Sequence, residues 1–232
     1  MDLIKLDFES GIVTVRLDAP PVNAVDLPFT EQLLAALQGL GQGGGIRGVV
    51  LTGAGKAFCA GVNVKVVPTY DAGQKRAMVR NINRMVTALY GLPWPVVAAV
   101  NGAAIGGGMV LALACDFRIA SGEARFALAE VTAGIPFPAV PLVVLEDTLD
   151  PSTRRELALT GRAVDAADAQ RLRIVGRIVE AADLIAQASS SVRQLAAAPG
   201  YATVKAQIRA SALERMRTIV ERDDDPMLAH WV

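Results

Sequence analysis

At 232 residues, with 52% hydrophobic and 20% charged side chains, the chain has the composition of one or two packed globular domains, which excludes intrinsic disorder. Its 23 basic and 23 acidic residues cancel to zero net charge, leaving no electrostatic footprint for nucleic acid or a membrane surface. Cys59 and Cys115, each in an apolar, glycine-rich stretch, read as free thiols of a reducing compartment, with a disulfide as the alternative.

The N-terminal MDLIKLDFESG scatters charge where a signal peptide needs an apolar core and a small-residue cleavage site, so a cytoplasmic location is expected. Apolar runs at 3–8 and 12–17 flank Glu9, Ser10 and Gly11 and predict a β-hairpin. Residues 27–40 carry apolar side chains at helical spacing and stop at Gly41, which predicts a helix. A buried strand follows at 49–51, a long helix at 71–90 ended by Gly91 and Pro93, and another strand at 96–100. A helix at 109–115 and a strand at 117–120 continue an alternation characteristic of βαβ units, so the first two-thirds reads as α/β.

Residues 91–115 carry no charge, yet Pro93, Pro95, Asn101 and the glycines interrupt the helix that a membrane span requires. Strand, turn and buried helix is the reading adopted. From about Pro151 the pattern becomes helical, at 153–159, 166–172, 182–197 and 201–222, with one strand-like piece at 174–179. The organisation expected is an α/β core over 1–150 and a mainly helical region over 151–232.

Several chemistries are removed by what the sequence lacks. The single histidine, His230, lies next to the C-terminus, which argues against a Ser-His-Asp or Cys-His site, and no spaced ligand cluster suggests a metal. Gly53 to Lys56 lacks phosphate-loop spacing and has Ala57 where magnesium needs Ser or Thr; the glycines at 106–108 lack dinucleotide-turn spacing. Two glycine-rich turns after strands remain, at 60–63 and 101–108, the second opening an apolar helix. Free N–H groups at such a helix start suit a developing oxyanion, and glycine admits close approach. Ordinary packing of a helix on a sheet is the competing reading of that turn.

Four blocks in order, 21–24 (PVNA), 50–62 (VLTGAGKAFCAGV), 98–108 (AAVNGAAIGGG) and 126–136 (FALAEVTAGIP), resemble the crotonase (enoyl-CoA hydratase/isomerase) family. The resemblance implies a ββα spiral core with a C-terminal helical region, and an enzyme that stabilises the enolate of an acyl-CoA thioester. It places the oxyanion-hole N–H groups on Val62 and Gly107, each such donor worth roughly 3–4 kcal/mol in related sites. It implicates Ala24, Ala60 and Val64 in holding coenzyme A, and Val110 and Phe137 beside the acyl group. Many relatives carry a basic residue just before the Asn-Ala pair, where this chain has Pro20 and Pro21.

The family's hydratases use two glutamates. One of those positions is Val110 here and the other is Glu130, so a single carboxylate remains, as in the family's isomerases. Val110, Val131, Phe137 and Val140 are expected to desolvate Glu130 and raise its pKa toward neutrality. A solvated surface glutamate is the bland alternative. The activity expected is a shift of the C=C bond from 3-enoyl-CoA to 2-enoyl-CoA; a one-glutamate hydratase and a non-catalytic acyl-CoA binder are the alternatives. No metal or redox cofactor is expected. The partner is the acyl-CoA substrate, and residues 203–209 resemble helices that assemble the family into homotrimers or hexamers.

Overall fold

The computed structural model describes residues 2–42 and 44–231; the side chains of Gln42 and His230 lie outside that description. In chain order the elements are β1 (Ile4–Glu9), β2 (Ile12–Leu17), α1 (Leu27–Gln42), β3 (Gly48–Gly53), β4 (Ala57–Cys59), α2 (Ala72–Tyr90), β5 (Val96–Val100), β6 (Ala103–Ile105), α3 (Gly107–Ala114), β7 (Phe117–Ser121) and β8 (Arg125–Ala127). There follow α4 (Glu130–Ala133), α5 (Ala139–Thr148), α6 (Pro151–Thr160), β9 (Val164–Asp165), α7 (Ala166–Arg171), β10 (Arg177–Val179), α8 (Leu184–Ala196), α9 (Tyr201–Arg222) and α10 (Leu228–Trp231). Among the described residues no helix is long and apolar enough to cross a membrane.

The strands form a main sheet in the order β1-β2-β3-β5-β7-β10 and a small sheet β4-β6-β8-β9. Only the β1–β2 hairpin is antiparallel in the main sheet. Its central strands are continuous apolar runs because both faces are covered. On β3, Val49 and Leu51 enter the main core while Val50 turns to the other face. On β5, Val96, Ala98 and Val100 face the main core while Val97 and Ala99 meet Leu184, Ala188 and Val192 of α8. The helical last third joins the same core: Leu157, Ala169, Ala212 and Met216 belong to one buried cluster with the sheet.

Local chemistry sets the helix ends. Asp71 caps α2 by accepting from Gln74 N at 2.8 Å, and the Gln74 side chain accepts from Asp71 N at 3.0 Å in return. Pro151 opens α6 where its missing N–H costs nothing, behind an Asp150 side chain that accepts from Ser152 N and Thr153 N.

Several sequence expectations are corrected. The third helix begins at Gly107, inside the glycine turn, and the strand expected over 174–179 is confined to Arg177–Val179. Three-residue strands β4, β6 and β8 were not among the expected elements, and β6 sits inside the turn read at 101–108. Helix α5 was hidden by Pro138 and Pro141; Pro138 is its N-cap and Pro141 lies in its first turn, where backbone N–H groups lack intrahelical partners in any case.

Candidate active site

The small sheet brings the glycine-rich turns together. β4 and β6 run parallel with Ala57 opposite Ala103 and Cys59 opposite Ala104, so residues 60–62 leave β4 beside the start of α3. Packing there admits no side chain: a β-carbon on Gly108 would lie 2.0 Å from the Cys59 carbonyl oxygen. One on Gly61 would lie 2.6 Å from Ile105 O and 3.4 Å from Gly107 N, and Gly61 also has φ of +77°.

Asn23 organises this junction. It is buried, with φ of +55°; its side-chain amide donates to the carbonyls of Ala54 (3.0 Å), Ala57 (2.8 Å) and Phe58 (3.2 Å) and its Oδ1 accepts from Ala19 N at 2.9 Å. The chain after it bridges to the second turn: Val25 N donates to Gly61 O at 2.7 Å, and Asn63 N donates to Val25 O at 2.8 Å. In such a parallel bridge the partner residue, Val62, turns its own N–H to the opposite side. Gly107 is the first residue of α3, so its N–H is among the orphan donors of a helix start. Neither N–H donates to another protein group among the described residues.

Val62 and Gly107 line both an apolar cavity and a groove. The cavity, about 40 Å³, is walled by Val25, Val62, Ile82, Met85, Val86, Gly107, Val110, Ile135, Pro136, Pro138, Pro141, Met227 and Trp231. Among the described residues its only titratable lining group is Glu130. The groove runs past Ala60, Gly61, Val62, Val64, Gly106, Gly107 and Ala133, again with Glu130. Cavity and groove therefore meet at Val62, Gly107 and Glu130.

Glu130 is the first residue of the short helix α4. Its Oε1 lies 3.0 Å from where a β-carbon on Gly106 would stand, which places the carboxylate against the turn that precedes Gly107. Oε2 is shut off from solvent and has no hydrogen-bond partner among the described residues. Burial pushes the carboxyl up from its ordinary 4.5 to about 7, opposed only by its own backbone N–H. A group with this pKa can both accept and return a proton near neutrality. The two cysteines offer no competing nucleophile, since burial pushes each thiol up to about 12 and both are free.

The structure sorts the remaining expectations. Val110 lines the cavity as expected, and Ala60 and Val64 line the groove, Val64 with 63% of its surface exposed. Ala24 is half-buried and lines neither; its neighbour Val25 does. Phe137 packs against the main core, and Pro136 and Pro138 take the wall positions expected of it. Val131 lines neither the cavity nor the groove and is 48% exposed. Val140 is fully buried, but the cavity is lined by its neighbour Pro141. The sequence reading had no signal for Ile82, Met85 and Val86 of α2, nor for Met227 and Trp231, which reach the cavity from distant parts of the chain.

The chain resembles known proteins along nearly its whole length. A family model described as enoyl-CoA hydratase/isomerase matches residues 7–230. A probable enoyl-CoA hydratase of Mycobacterium tuberculosis is 29% identical over 199 residues, covering 86% of this chain and 76% of the relative. A putative enoyl-CoA hydratase of Thermus thermophilus is 37% identical over 170 residues, 71% of this chain and 67% of the relative. The solved structure of human mitochondrial delta3-delta2-enoyl-CoA isomerase superposes with a TM-score of 0.90 at 26% identity, covering 98% of this chain and 91% of that one. With its spiral of paired glycine-turn segments, its C-terminal helices and a match spanning the described fold, the chain belongs to the enoyl-CoA hydratase/isomerase, or crotonase, family.

Proposed function

We propose that the protein converts a 3-enoyl-CoA to the conjugated 2-enoyl-CoA with Glu130 as the only proton carrier. The observation that carries this reading is the solitude of Glu130: among the described residues it is the one titratable group lining the cavity, and Val110, which lines it too, stands where the resemblance puts the hydratases' second carboxylate. Glu130 takes a proton from C2; the C2–H electrons form a C1=C2 bond and the C1=O electrons move onto the thioester oxygen, where the N–H groups of Val62 and Gly107 hold the dienolate, still conjugated with C3=C4. The protonated carboxyl then gives the proton to C4 and the double bond settles between C2 and C3. Acid and base are the same group, so no redox cofactor or metal enters the balance.

The groove lined by Ala60 and Val64 takes the arm of coenzyme A, and the cavity takes the acyl tail. The exposed apolar side chains of Phe117, Val204 and Ile208 support assembly into a homotrimer or hexamer through this face. A cytoplasmic location fits the free thiols.

The names of the two bacterial relatives favour hydration as the second reading. Two substrates separate the reactions. Conjugated-thioester absorbance should rise with 3-hexenoyl-CoA; loss of that absorbance from crotonyl-CoA, with 3-hexenoyl-CoA untouched, would establish the hydratase instead.

A further inference from the structure

Helix α9 does not end the fold. Asp223 closes it in the left-handed region, φ of +53°, and is paired there with Arg80 of α2. The chain then folds back as a strap, residues 223–231, pinned by one buried carboxylate. Asp225 is 6% exposed; its Oδ2 accepts from Asn83 Nδ2 at 2.7 Å and from Ala139 N at 2.8 Å, and its Oδ1 accepts from Met227 N at 2.8 Å. Asn83 is itself buried on α2 and accepts from Val140 N at 3.2 Å through Oδ1. Among the described residues no Lys or Arg nitrogen lies within 4.0 Å of Asp225, so three neutral N–H donors satisfy it.

Each of those donors belongs to an element that walls the cavity or leads into it. Asn83 stands beside Ile82 on α2, Ala139 follows Pro138, and Met227 is itself in the wall. Two residues of the strap reach the cavity: Met227, 4% exposed, and Trp231, whose ring lies 6.0 Å from Lys75 Nζ of α2. Neither lines the groove. They are therefore on the side where an acyl tail goes once its thioester sits between Val62 and Gly107.

We infer that the strap sets acyl-chain length, Met227 and Trp231 acting as specificity-determining residues and Asp225 as the residue that positions them. The inference rests on the reading of the site as an acyl-CoA site. With a cavity of only about 40 Å³, the wall they form limits how much of an acyl tail can enter. Asp225→Asn replaces an acceptor by an amide N–H facing N–H donors, which loosens the strap without touching the cavity surface.

The test is calorimetric titration of wild type, Trp231→Ala, Met227→Ala and Asp225→Asn with butyryl-, hexanoyl- and dodecanoyl-CoA. Wild type is expected to bind hexanoyl-CoA at least about tenfold more tightly than dodecanoyl-CoA, and Trp231→Ala and Met227→Ala to shrink that ratio by about tenfold. Asp225→Asn shrinks it in the same direction while retaining wild-type helix content by circular dichroism. Ratios in Trp231→Ala and Met227→Ala equal to the wild-type ratio would overturn the inference. A wild type that binds none of the three thioesters would overturn both this inference and the acyl-CoA reading. Saturated thioesters cannot isomerise, so a failure of the Glu130 reaction shows only in the enoyl assays and leaves the ratios readable.

Discussion

A surface glutamate keeps its charge because water solvates it; Glu130 exchanges that water for Val110, Ile135 and Pro138 and receives no cation in return. Its carboxyl is held near pKa 7 in the fold against 4.5 ordinarily. Between those values the native protein keeps a proton that the unfolded chain has released, so stability falls as pH rises from about 4.5 to about 7. Glu130→Gln abolishes that loss. Denaturant unfolding should find it about 2–3 kcal/mol more stable than wild type at pH 8 and little different at pH 4. On the proposed reaction the working form is the carboxylate, so kcat/KM should climb through a single limb near pH 7. Gly106 supplies a second test, because it holds φ of +52° under the carboxylate. Gly106→Ala should cost about 1–3 kcal/mol through backbone strain and lower kcat/KM by about 10–100-fold by displacing Oε1, with the fold retained by circular dichroism.

Among the elements, the long ones were legible and the short ones were not. Helices α1, α2 and α9 and the main-sheet strands other than β10 announce themselves because each carries its apolar pattern over five or more residues. β4, β6 and β8 have three residues each, too few for a period, and gain their stability from pairing with one another. The three positions proposed for the reaction, Val62, Gly107 and Glu130, lie in contiguous motifs and were placed by resemblance. The wall of the cavity was not, since Ile82, Met227 and Trp231 come from segments with no motif and meet only through packing. Phe137 and Val131 were misplaced for a related reason: proximity to Glu130 in sequence says nothing of direction on a one-turn helix followed by prolines. The element that most needs its polar side chain is the loop holding Asn23. Asn23→Ala removes four hydrogen bonds and leaves buried carbonyls unpaired, so a loss of about 2–4 kcal/mol is expected by chemical denaturation, with activity lost as the turns separate.

At the scale of the whole molecule, one buried charge cluster joins the helical last third to the sheet. Asp116, which follows α3 and precedes β7, accepts from Lys205 Nζ at 2.8 Å and Arg209 Nη2 at 3.0 Å, both on α9, and from Val96 N at 2.7 Å. All three charged side chains are under 10% exposed. Arg209 also lies 3.8 Å over the Tyr90 ring and donates to Tyr90 O, so α2, α9 and the sheet share one clamp. Asp116→Asn strands two buried cations and should cost about 3–5 kcal/mol, a loss of stability visible as a lowered midpoint in urea.

Everything proposed for the site turns on one carboxylate moving one proton. The most direct measurement is turnover of 3-hexenoyl-CoA by wild type and Glu130→Gln at saturating substrate and pH 8, with acyl-CoA binding checked in parallel. The account predicts wild-type turnover and a fall in kcat of about 10²–10⁴-fold in Glu130→Gln with binding retained. A Glu130→Gln protein that turns over as fast as wild type would contradict it.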